Sequence, residues 1–141
     1  VFVHRDFHCG NLMVRADHYA ILDFQDAVAG PITYDLISLL QDRYIAWPRE
    51  RVEAWSDAHR QRVAPSVAPD LWRRWLDLMG LQRNLKIVGI FARLDQRDGK
   101  SHYLSWQPRF AHYVQETARR YPELRALTAF FDALPDGLVS A

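Results

Sequence analysis

The chain has 141 residues, of which 49% are hydrophobic and 25% charged, values typical of a folded globular domain rather than a disordered chain. Its formal net charge is +1, from 18 basic and 17 acidic residues, so no broad positive field favours nucleic acid. No segment approaches the roughly 18 uncharged apolar residues that a membrane helix requires. We therefore expect one globular domain that neither binds nucleic acid nor crosses a membrane.

Cys9 is the only cysteine in the sequence, which excludes an internal disulfide and fits a reducing compartment. We therefore expect a cytoplasmic protein. The sequence begins with Val1 rather than Met, and a motif of polar residues already starts at His4. For this reason we expect further sequence to precede Val1 in the complete protein.

Short apolar segments occupy the first part of the chain. Residues 1–3, 12–14 and 19–22 are rich in aromatic or β-branched side chains and are predicted to form strands. The last two segments flank residues 15–18, a polar link that is short enough for a hairpin. We therefore expect polar loop residues to lie between short strands.

From Thr33 onward the apolar residues recur every three or four positions, which predicts helices. Thr33 is a candidate N-cap of the first helix, and Pro48 breaks that helical pattern. Gly99 is predicted to end the longest helix and Pro135 the last one. The predicted helices cover residues 33–45, 49–63, 69–97, a segment that follows Pro108, and 123–134. The predicted fold class is therefore α+β, with a short β-rich segment followed by a helical body.

Aromatic and basic residues on these helices have ordinary structural interpretations. Aromatic residues at helical spacing, such as Trp72 and Phe91, are predicted to form the core rather than a ligand platform. Two basic clusters, residues 60–62 and the pair Arg73 and Arg74, are predicted to lie on solvated helix faces. Neither group bears on the function.

The first eleven residues contain a pattern that suits phosphoryl transfer. That reaction needs a carboxylate to orient or deprotonate the acceptor hydroxyl, and magnesium to neutralise charge on the transferred group. Asp6 follows His4 and Arg5 and precedes Asn11 by five residues, which matches the kinase loop H-R-D-x-x-x-x-N. Asp6 is the candidate base, and Asn11 offers a neutral oxygen to a hard cation.

A second acidic motif follows across the predicted hairpin. Asp23 and Phe24 come twelve residues after Asn11, at the end of an apolar run. The hairpin is expected to return Asp23 beside Asn11, where both can hold a magnesium ion that bridges the nucleotide phosphates. Each motif occurs often by chance, but their order and the hairpin between them are far more specific.

Two other interpretations compete with this one. Asp6 and Asn11 can be plain turn or capping residues, which are common roles for these residue types. Alternatively, His4, Asp6 and His8 alternate along the chain and Cys9 follows them, which would suit a zinc-dependent hydrolase. The remaining histidines form no second ligand motif, however, and zinc leaves Asn11 and the second acidic motif unexplained.

Residues 4–11 (HRDFHCGN), 23–27 (DFQDA) and 30–36 (GPITYDL) resemble the aminoglycoside phosphotransferase and choline kinase-like family. This resemblance implies a protein-kinase-like fold and the use of ATP and Mg²⁺. The family loop is commonly H-x-D-x-H-x-x-N, so His8 favours a small-molecule acceptor over a protein. By the same resemblance, His4 and His8 support the loop.

Two further positions are interpreted through the family. The resemblance implies that Asp35 braces the loop from the start of a helix, whereas a plain negative charge at a helix N-terminus is the alternative. Gln25 stands where protein kinases have glycine, which argues against a mobile activation-loop switch. The turn at residues 30–31 differs from that of many relatives.

Residues 21–31 and 89–94 look most like bacterial kinases of cell-wall amino sugars. This implies phosphorylation of the anomeric hydroxyl of N-acetylmuramate or N-acetylglucosamine. Asp26, Arg93 and Arg97 are candidate acceptor contacts, and the two arginines, one turn apart, suit an acidic group such as the muramate carboxylate. An aminoglycoside or an amino alcohol such as choline is an alternative acceptor, and a catalytically silent kinase-like binding module is an alternative of another class.

A kinase of this fold also needs an N-terminal lobe with a strand lysine and a loop that covers the nucleotide phosphates. Neither G-x-G-x-x-G nor G-x-x-x-x-G-K-[ST] occurs in the sequence. Residues 1–141 are therefore predicted to be the C-terminal catalytic lobe alone, without the nucleotide-binding lobe. We expect this chain by itself to bind ATP poorly and to be inactive.

Overall fold

The computed structural model describes residues 1–134, which divide into two compact units, Val1–Met79 and one that begins at Gly80. The described chain is mainly helical and contains two small antiparallel sheets of two strands each. The predicted α+β class is therefore confirmed. Within residues 1–134, no helix combines the length and apolar character that a membrane crossing requires.

The strands of the first unit are β1 (Phe2–Val3), β2 (Leu12–Val14), β3 (Tyr19–Ile21) and β4 (Val28–Ala29). Strands β2 and β3 pair in antiparallel register, with Leu12 opposite Ile21. The amide of Arg15 donates to the carbonyl of His18 at 2.9 Å and closes the link between them. The predicted hairpin is therefore confirmed.

Strand β4 was not predicted from the sequence, and it pairs with β1 in antiparallel register. The amide of Gly30 donates to the carbonyl of Val1 at 2.9 Å and continues this pairing. A Cβ atom at Gly30 would lie 3.0 Å from Cγ2 of Val3. The small size of glycine therefore lets the two backbones approach at this point.

Helix α1 (Tyr34–Leu40) is shorter than predicted, because the chain leaves the helix at Gln41. Gln41 forms an isolated antiparallel bridge with Ala46, which closes a loop where the sequence had indicated more helix. Thr33 occupies the predicted N-cap position, but its side chain makes no capping bond, and its hydroxyl instead donates to the carbonyl of Trp75 at 3.4 Å.

Helix α2 (Arg49–Val63) has the predicted bounds, and it packs with α1 and the start of α3 around Ile37, Leu40, Val52 and Leu76. These apolar side chains are each at most 5% exposed, so they form the core of the first unit.

Arg60 corrects the expectation of a fully solvated basic face on α2. It is only 8% exposed, and its Nε donates to Oδ1 of Asp57 at 2.7 Å. Its Nη1 donates to the carbonyl of Val67 at 2.9 Å, beyond the end of the helix. The long aliphatic part of an arginine allows such burial when the guanidinium has partners.

Helix α3 (Pro69–Asp98) is the longest element and runs through Gly80 without interruption. Gly99 ends it with φ of 64°, a left-handed conformation that glycine adopts without steric cost. The amide of Gly99 donates to the carbonyl of Asp95 at 3.1 Å. The predicted end of this helix is therefore confirmed.

The second unit also contains α4 (Gln107–Arg120) and α5 (Arg125–Asp132). Its core is aromatic, with Phe91, Phe110 and Tyr113 each at most 8% exposed. The core role predicted for residues such as Trp72, at 2% exposed, and Phe91 is thus confirmed. The last helix is shorter than predicted because Pro122–Leu124 forms a 3₁₀ turn, and the predicted stop at Pro135 lies outside the described residues.

Candidate active site

The loop of residues 4–11, between β1 and β2, brings Asp6, His8 and Asn11 together. The side-chain amide of Asn11 donates to the backbone carbonyl of Asp6 at 3.0 Å and to its Oδ2 at 3.4 Å. Nε2 of His8 lies 3.4 Å from the same Oδ2. The Asp6 side chain is nevertheless 60% exposed, so an oriented carboxylate faces solvent.

His8 is held in one orientation by the residue two positions later. The amide of Gly10 donates to Nδ1 of His8 at 3.0 Å, so Nδ1 is an acceptor and the proton of the neutral ring belongs on Nε2. That N–H faces Asp6. A Cβ atom at Gly10 would lie 2.9 Å from Cε1 of His8, closer than real Cβ atoms approach. Glycine is therefore required for this close packing.

Asp35, in the first turn of α1, contacts the backbone of the loop. Its Oδ2 accepts from the amide of His4 at 2.6 Å, and its Oδ1 accepts from the amide of Arg5 at 3.0 Å. Arg5 has φ of 76°, a left-handed conformation that costs a non-glycine residue about 1–2 kcal/mol. The two charge-assisted bonds offset this strain and fix the direction in which the chain enters Asp6.

His4 connects the loop of residues 4–11 to the sheet formed by β2 and β3. It is only 3% exposed, and its Nε2 lies 2.8 Å from the carbonyl of Leu22. Because a carbonyl only accepts, Nε2 carries the proton of this ring. The side chain thus connects the beginning of the loop to the residue that follows β3.

The hairpin brings Asn11 and Asp23 to the same open end. The amide of Leu22 donates to the carbonyl of Asn11 at 2.9 Å, which extends the β2–β3 ladder by one residue pair. Asp23 comes next, in a left-handed conformation with φ of 62°. Gln25 donates to Oδ1 of Asp23 at 2.6 Å. The side-chain oxygen of Asn11 and Oδ2 of Asp23 are then the atoms left for a cation.

These two oxygens fit a magnesium site. Mg²⁺ prefers oxygen ligands, keeps several of its waters, and commonly takes only one or two ligands from the protein beside substrate phosphates. Asn11 already uses its amide nitrogen on Asp6, which turns its oxygen away from that carboxylate. One amide and one carboxylate oxygen at a hairpin end therefore suit this ion.

The same geometry does not support the zinc interpretation. Among residues 1–134, no group of three or more His, Cys, Asp or Glu side chains is placed to hold a metal ion. Cys9 donates through Sγ to Oδ2 of Asp42 at 3.2 Å. Partial burial and then the Asp42 carboxylate raise the pKa of this thiol, which disfavours the thiolate that zinc would need.

The three candidate acceptor contacts occupy different places. Asp26 lies in an exposed turn, where its backbone carbonyl accepts from Nη1 of Arg5 at 3.4 Å. Arg93 and Arg97 are exposed residues of the second unit. Both Nε and Nη2 of Arg97 bind the carboxylate of Asp98, at 2.7 and 3.0 Å, and this bond raises the pKa of Arg97. Their role in acceptor binding stays a prediction.

Sequence reasoning missed a segment that lies beside the loop. Asp42 is 5% exposed and accepts from Cys9, which is 33 positions earlier in the chain. The ring of Tyr44 lies 6.3 Å from the ring of His8. No local sequence pattern predicts these contacts, because the helical periodicity had indicated that α1 continued through Asp42 and Tyr44.

Comparison with known proteins gives relatives over nearly the whole chain. The N-acetylmuramate/N-acetylglucosamine kinase of Pseudomonas putida is 44% identical over an alignment of 142 positions, which covers 97% of this chain and 42% of the relative. The protein of the same name from Neisseria meningitidis serogroup B is 47% identical over 134 residues, with 92% and 40% covered. A third, from Caulobacter vibrioides, is 35% identical over 137 residues, with 94% and 37% covered.

The chain thus spans about two-fifths of the length of these curated relatives. Their names confirm the resemblance to bacterial amino-sugar kinases that residues 21–31 and 89–94 had indicated. Residues 1–78, which include the loop, the hairpin and the helix that carries Asp35, match the family model described as the phosphotransferase enzyme family. Because this match covers more than half of the chain, the chain belongs to the phosphotransferase enzyme family.

Proposed function

We propose that this chain is the C-terminal catalytic lobe of an ATP- and Mg²⁺-dependent kinase with a protein-kinase-like fold. Its acceptor is a hydroxyl of a small amino sugar, namely the anomeric hydroxyl of N-acetylmuramate or N-acetylglucosamine. Family membership and the names of the relatives support this proposal. The observation that carries it is the exposed Asp6 carboxylate, oriented by Asn11 and His8 on one short loop.

In the proposed reaction, the acceptor hydroxyl donates a hydrogen bond to Asp6, which takes its proton as the oxygen attacks the terminal phosphoryl group of ATP. The bond from that phosphorus to the bridging oxygen breaks, and ADP leaves with the bridging oxygen. The side-chain amide of Asn11 and the Nε2–H of His8 both face Oδ2 of Asp6. These contacts hold the carboxylate in one orientation, and Oδ1 is then the oxygen available to the acceptor. Positioning of this kind supplies much of the rate enhancement in phosphoryl transfer.

Asn11 and Asp23 are the residues we assign to Mg²⁺. The ion, when bound with the nucleotide, neutralises negative charge on the phosphates. The carbonyl of Asn11 accepts from Leu22 next to Asp23, which keeps the two residues at one end of the hairpin. Gln25 fixes one oxygen of Asp23 and leaves the other available.

His4 and Asp35 act as positioning residues in this scheme. Asp35 holds the amides of His4 and Arg5, and the ring of His4 holds the carbonyl of Leu22. The loop that carries the base and the strand end that precedes Asp23 are therefore connected through one buried imidazole. We expect the relation between base and metal site to depend on it.

Replacement of Asp6 by asparagine in the full-length protein tests the proposal. Sugar phosphorylation should be lost, while binding of Mg²⁺ and ATP, measured by titration calorimetry, should persist. Asp17→Asn is the matched control, since the Asp17 side chain is 84% exposed in the hairpin link. Unchanged turnover in the Asp6 variant would contradict the assignment of the base.

A panel of acceptors tests the substrate class separately. The wild-type protein is offered N-acetylmuramate, N-acetylglucosamine, choline and an aminoglycoside, and ADP release is measured for each. We expect turnover with the two amino sugars. Turnover confined to the cationic acceptors would retain the kinase but exclude the sugar.

A further inference from the structure

We propose that the cavity between the loop of residues 4–11 and helices α1 and α2 is the acceptor-sugar subsite, with Asp42 as its polar anchor. This inference rests on the proposed function. The cavity has a volume of about 530 Å³, within the range of about 300–1,000 Å³ that small-molecule sites occupy. Its lining includes Cys9, Asp42, Trp47 and Trp55.

The cavity shares the loop of residues 4–11 with the proposed base, although Asp6 itself does not line it. Cys9 belongs to its wall and follows Asp6 by three residues on the same loop. His8, between them, lies 3.4 Å from the Asp6 carboxylate, and its ring is 6.3 Å from the ring of Tyr44. One short loop therefore contributes both the base and a wall of the cavity.

Asp42 supplies hydrogen-bond acceptors at the cavity wall. Its Oδ2 accepts from the Cys9 thiol at 3.2 Å, and its Oδ1 accepts from the backbone amide of Arg43. A thiol is a weak donor, and each carboxylate oxygen accepts two hydrogen bonds, so further acceptor positions remain. Because Asp42 is 95% buried, further hydrogen-bond donors would stabilise its carboxylate. Sugar hydroxyls and an acetamido N–H are such donors.

Two tryptophans supply an apolar face on the same cavity. The rings of Trp47 and Trp55 meet edge to face with centroids 5.0 Å apart. The guanidinium of Arg51 lies 5.7 Å from the first ring and 5.5 Å from the second, which helps to hold both rings in place. Trp55 is 42% exposed, so part of its surface is open to a ligand.

A pyranose has the matching chemistry, with hydroxyls around its rim and C–H groups across its faces. Such a ring can place its hydroxyls on Asp42 and its C–H face on the indoles. Arg62 also lines this cavity, and its positive charge disfavours a cationic amino alcohol relative to a sugar.

The test uses the full-length protein and the variants Asp42→Asn and Trp55→Ala. We expect each to raise the KM for the amino sugar about tenfold or more. The KM for ATP should stay within about twofold of the wild-type value. Asp70→Asn is the matched control, because Asp70 has a 95% exposed side chain at the start of α3, away from the cavity.

An unchanged sugar KM in both variants would overturn the subsite, and so would parallel changes in the KM values for sugar and ATP, which would indicate a distorted loop. If Asp42→Asn fails to fold by circular dichroism, Trp55→Ala decides alone, since its side chain is partly exposed. Wild-type protein without turnover of either sugar would overturn the proposed function and this subsite with it. Wild-type turnover combined with unaffected variants would overturn the subsite alone.

Discussion

The carboxylate of Asp35 holds the backbone amide of Arg5 at 3.0 Å, just where the chain takes a left-handed turn with φ of 76°. The same carboxylate accepts from the amide of His4 at 2.6 Å. Two adjacent amides are thus fixed from another element, thirty positions further along the chain. The geometry of the loop is therefore set by α1 as well as by its own sequence.

If the full-length protein is the proposed kinase, replacement of Asp35 by asparagine should lower its kcat and leave both KM values nearly unchanged, because the change loosens the loop without touching the ligands. One of the two amides would lose its acceptor, at a cost of about 1–3 kcal/mol in the free energy of unfolding. Steady-state kinetics and urea denaturation measure these effects. Asp70→Asn removes an equivalent first-turn carboxylate from α3. If both variants behave alike, Asp35 acts only as a helix-terminal charge.

Replacement of Gly10 by alanine should displace the ring of His8, because the new Cβ would lie 2.9 Å from Cε1. The hydrogen bond from the Gly10 amide to Nδ1 would be distorted, and Asp6 would lose an oriented neighbour. We expect kcat to fall roughly ten- to a hundredfold, as for other small misplacements near the reacting atoms. Kinetics of Gly89→Ala, where nothing lies within 4 Å, provide the control. Equal activities would contradict the proposed packing.

Replacement by alanine should change the free energy of unfolding in opposite directions at Gly89 and at Gly99. Gly89 lies inside α3 with open space around it, so alanine should raise the free energy of unfolding by up to about 1 kcal/mol. Gly99 has φ of 64°, so alanine at this position should lower the free energy of unfolding by about 1 kcal/mol, although no atom lies within 4 Å of the added Cβ. Thermal denaturation of the two variants measures the difference. Shifts of the same sign would show that backbone conformation does not decide the outcome.

His59 should make stability depend on pH. Burial, and then the positive charge of Arg62, lower the pKa of His59 below its ordinary value of 6.5. The folded state thus binds fewer protons than the unfolded state, so stability is retained above about pH 6.5 and lost as the pH falls through the lowered pKa. Urea midpoints at about pH 7.5 and about pH 5.5 should differ less in His59→Gln than in wild type. His112→Gln, on α4, controls for loss of a histidine, and an unaltered pH dependence in His59→Gln would exclude this role.

Arg62 should distinguish the two amino sugars if the cavity is the acceptor subsite. It is an exposed cation at the cavity wall, and N-acetylmuramate carries a carboxylate that N-acetylglucosamine lacks. Arg62→Gln should raise the KM for N-acetylmuramate roughly two- to fivefold, the modest effect of an exposed ion pair, and spare N-acetylglucosamine. Arg73→Gln is the control on α3. Equal changes for both sugars would exclude a specific role for Arg62.

The sequence alone predicted the parts of the site whose order is local. Asp6, His8 and Asn11 lie within one loop, and the hairpin follows from two short apolar segments around a polar link, so spacing sufficed to bring Asn11 and Asp23 to one end. The bounds of α2 and the stop of α3 at Gly99 were predicted for the same reason, since periodicity and helix ends depend on neighbouring residues.

Contacts between distant positions could not be predicted in this way. The helical pattern continues beyond Leu40, but the chain turns away at Gln41 and buries Asp42 against Cys9. Strand β4 is only two residues long and exists because β1 pairs with it. In both cases tertiary partners, which no local pattern records, outweigh the intrinsic preference of the segment.

The pairing of Asn11 with Leu22 means that the register of the hairpin determines how the two proposed metal ligands, Asn11 and Asp23, lie relative to each other. The link at 15–18 lies at the far end of the hairpin, so residues added there would leave Asn11 beside Asp23. A residue inserted within β2 or β3 would shift the ladder by one position and turn the side chains that follow to the opposite face. Tolerance to insertion should therefore change sharply between the tip of the hairpin and its strands, although both are largely exposed.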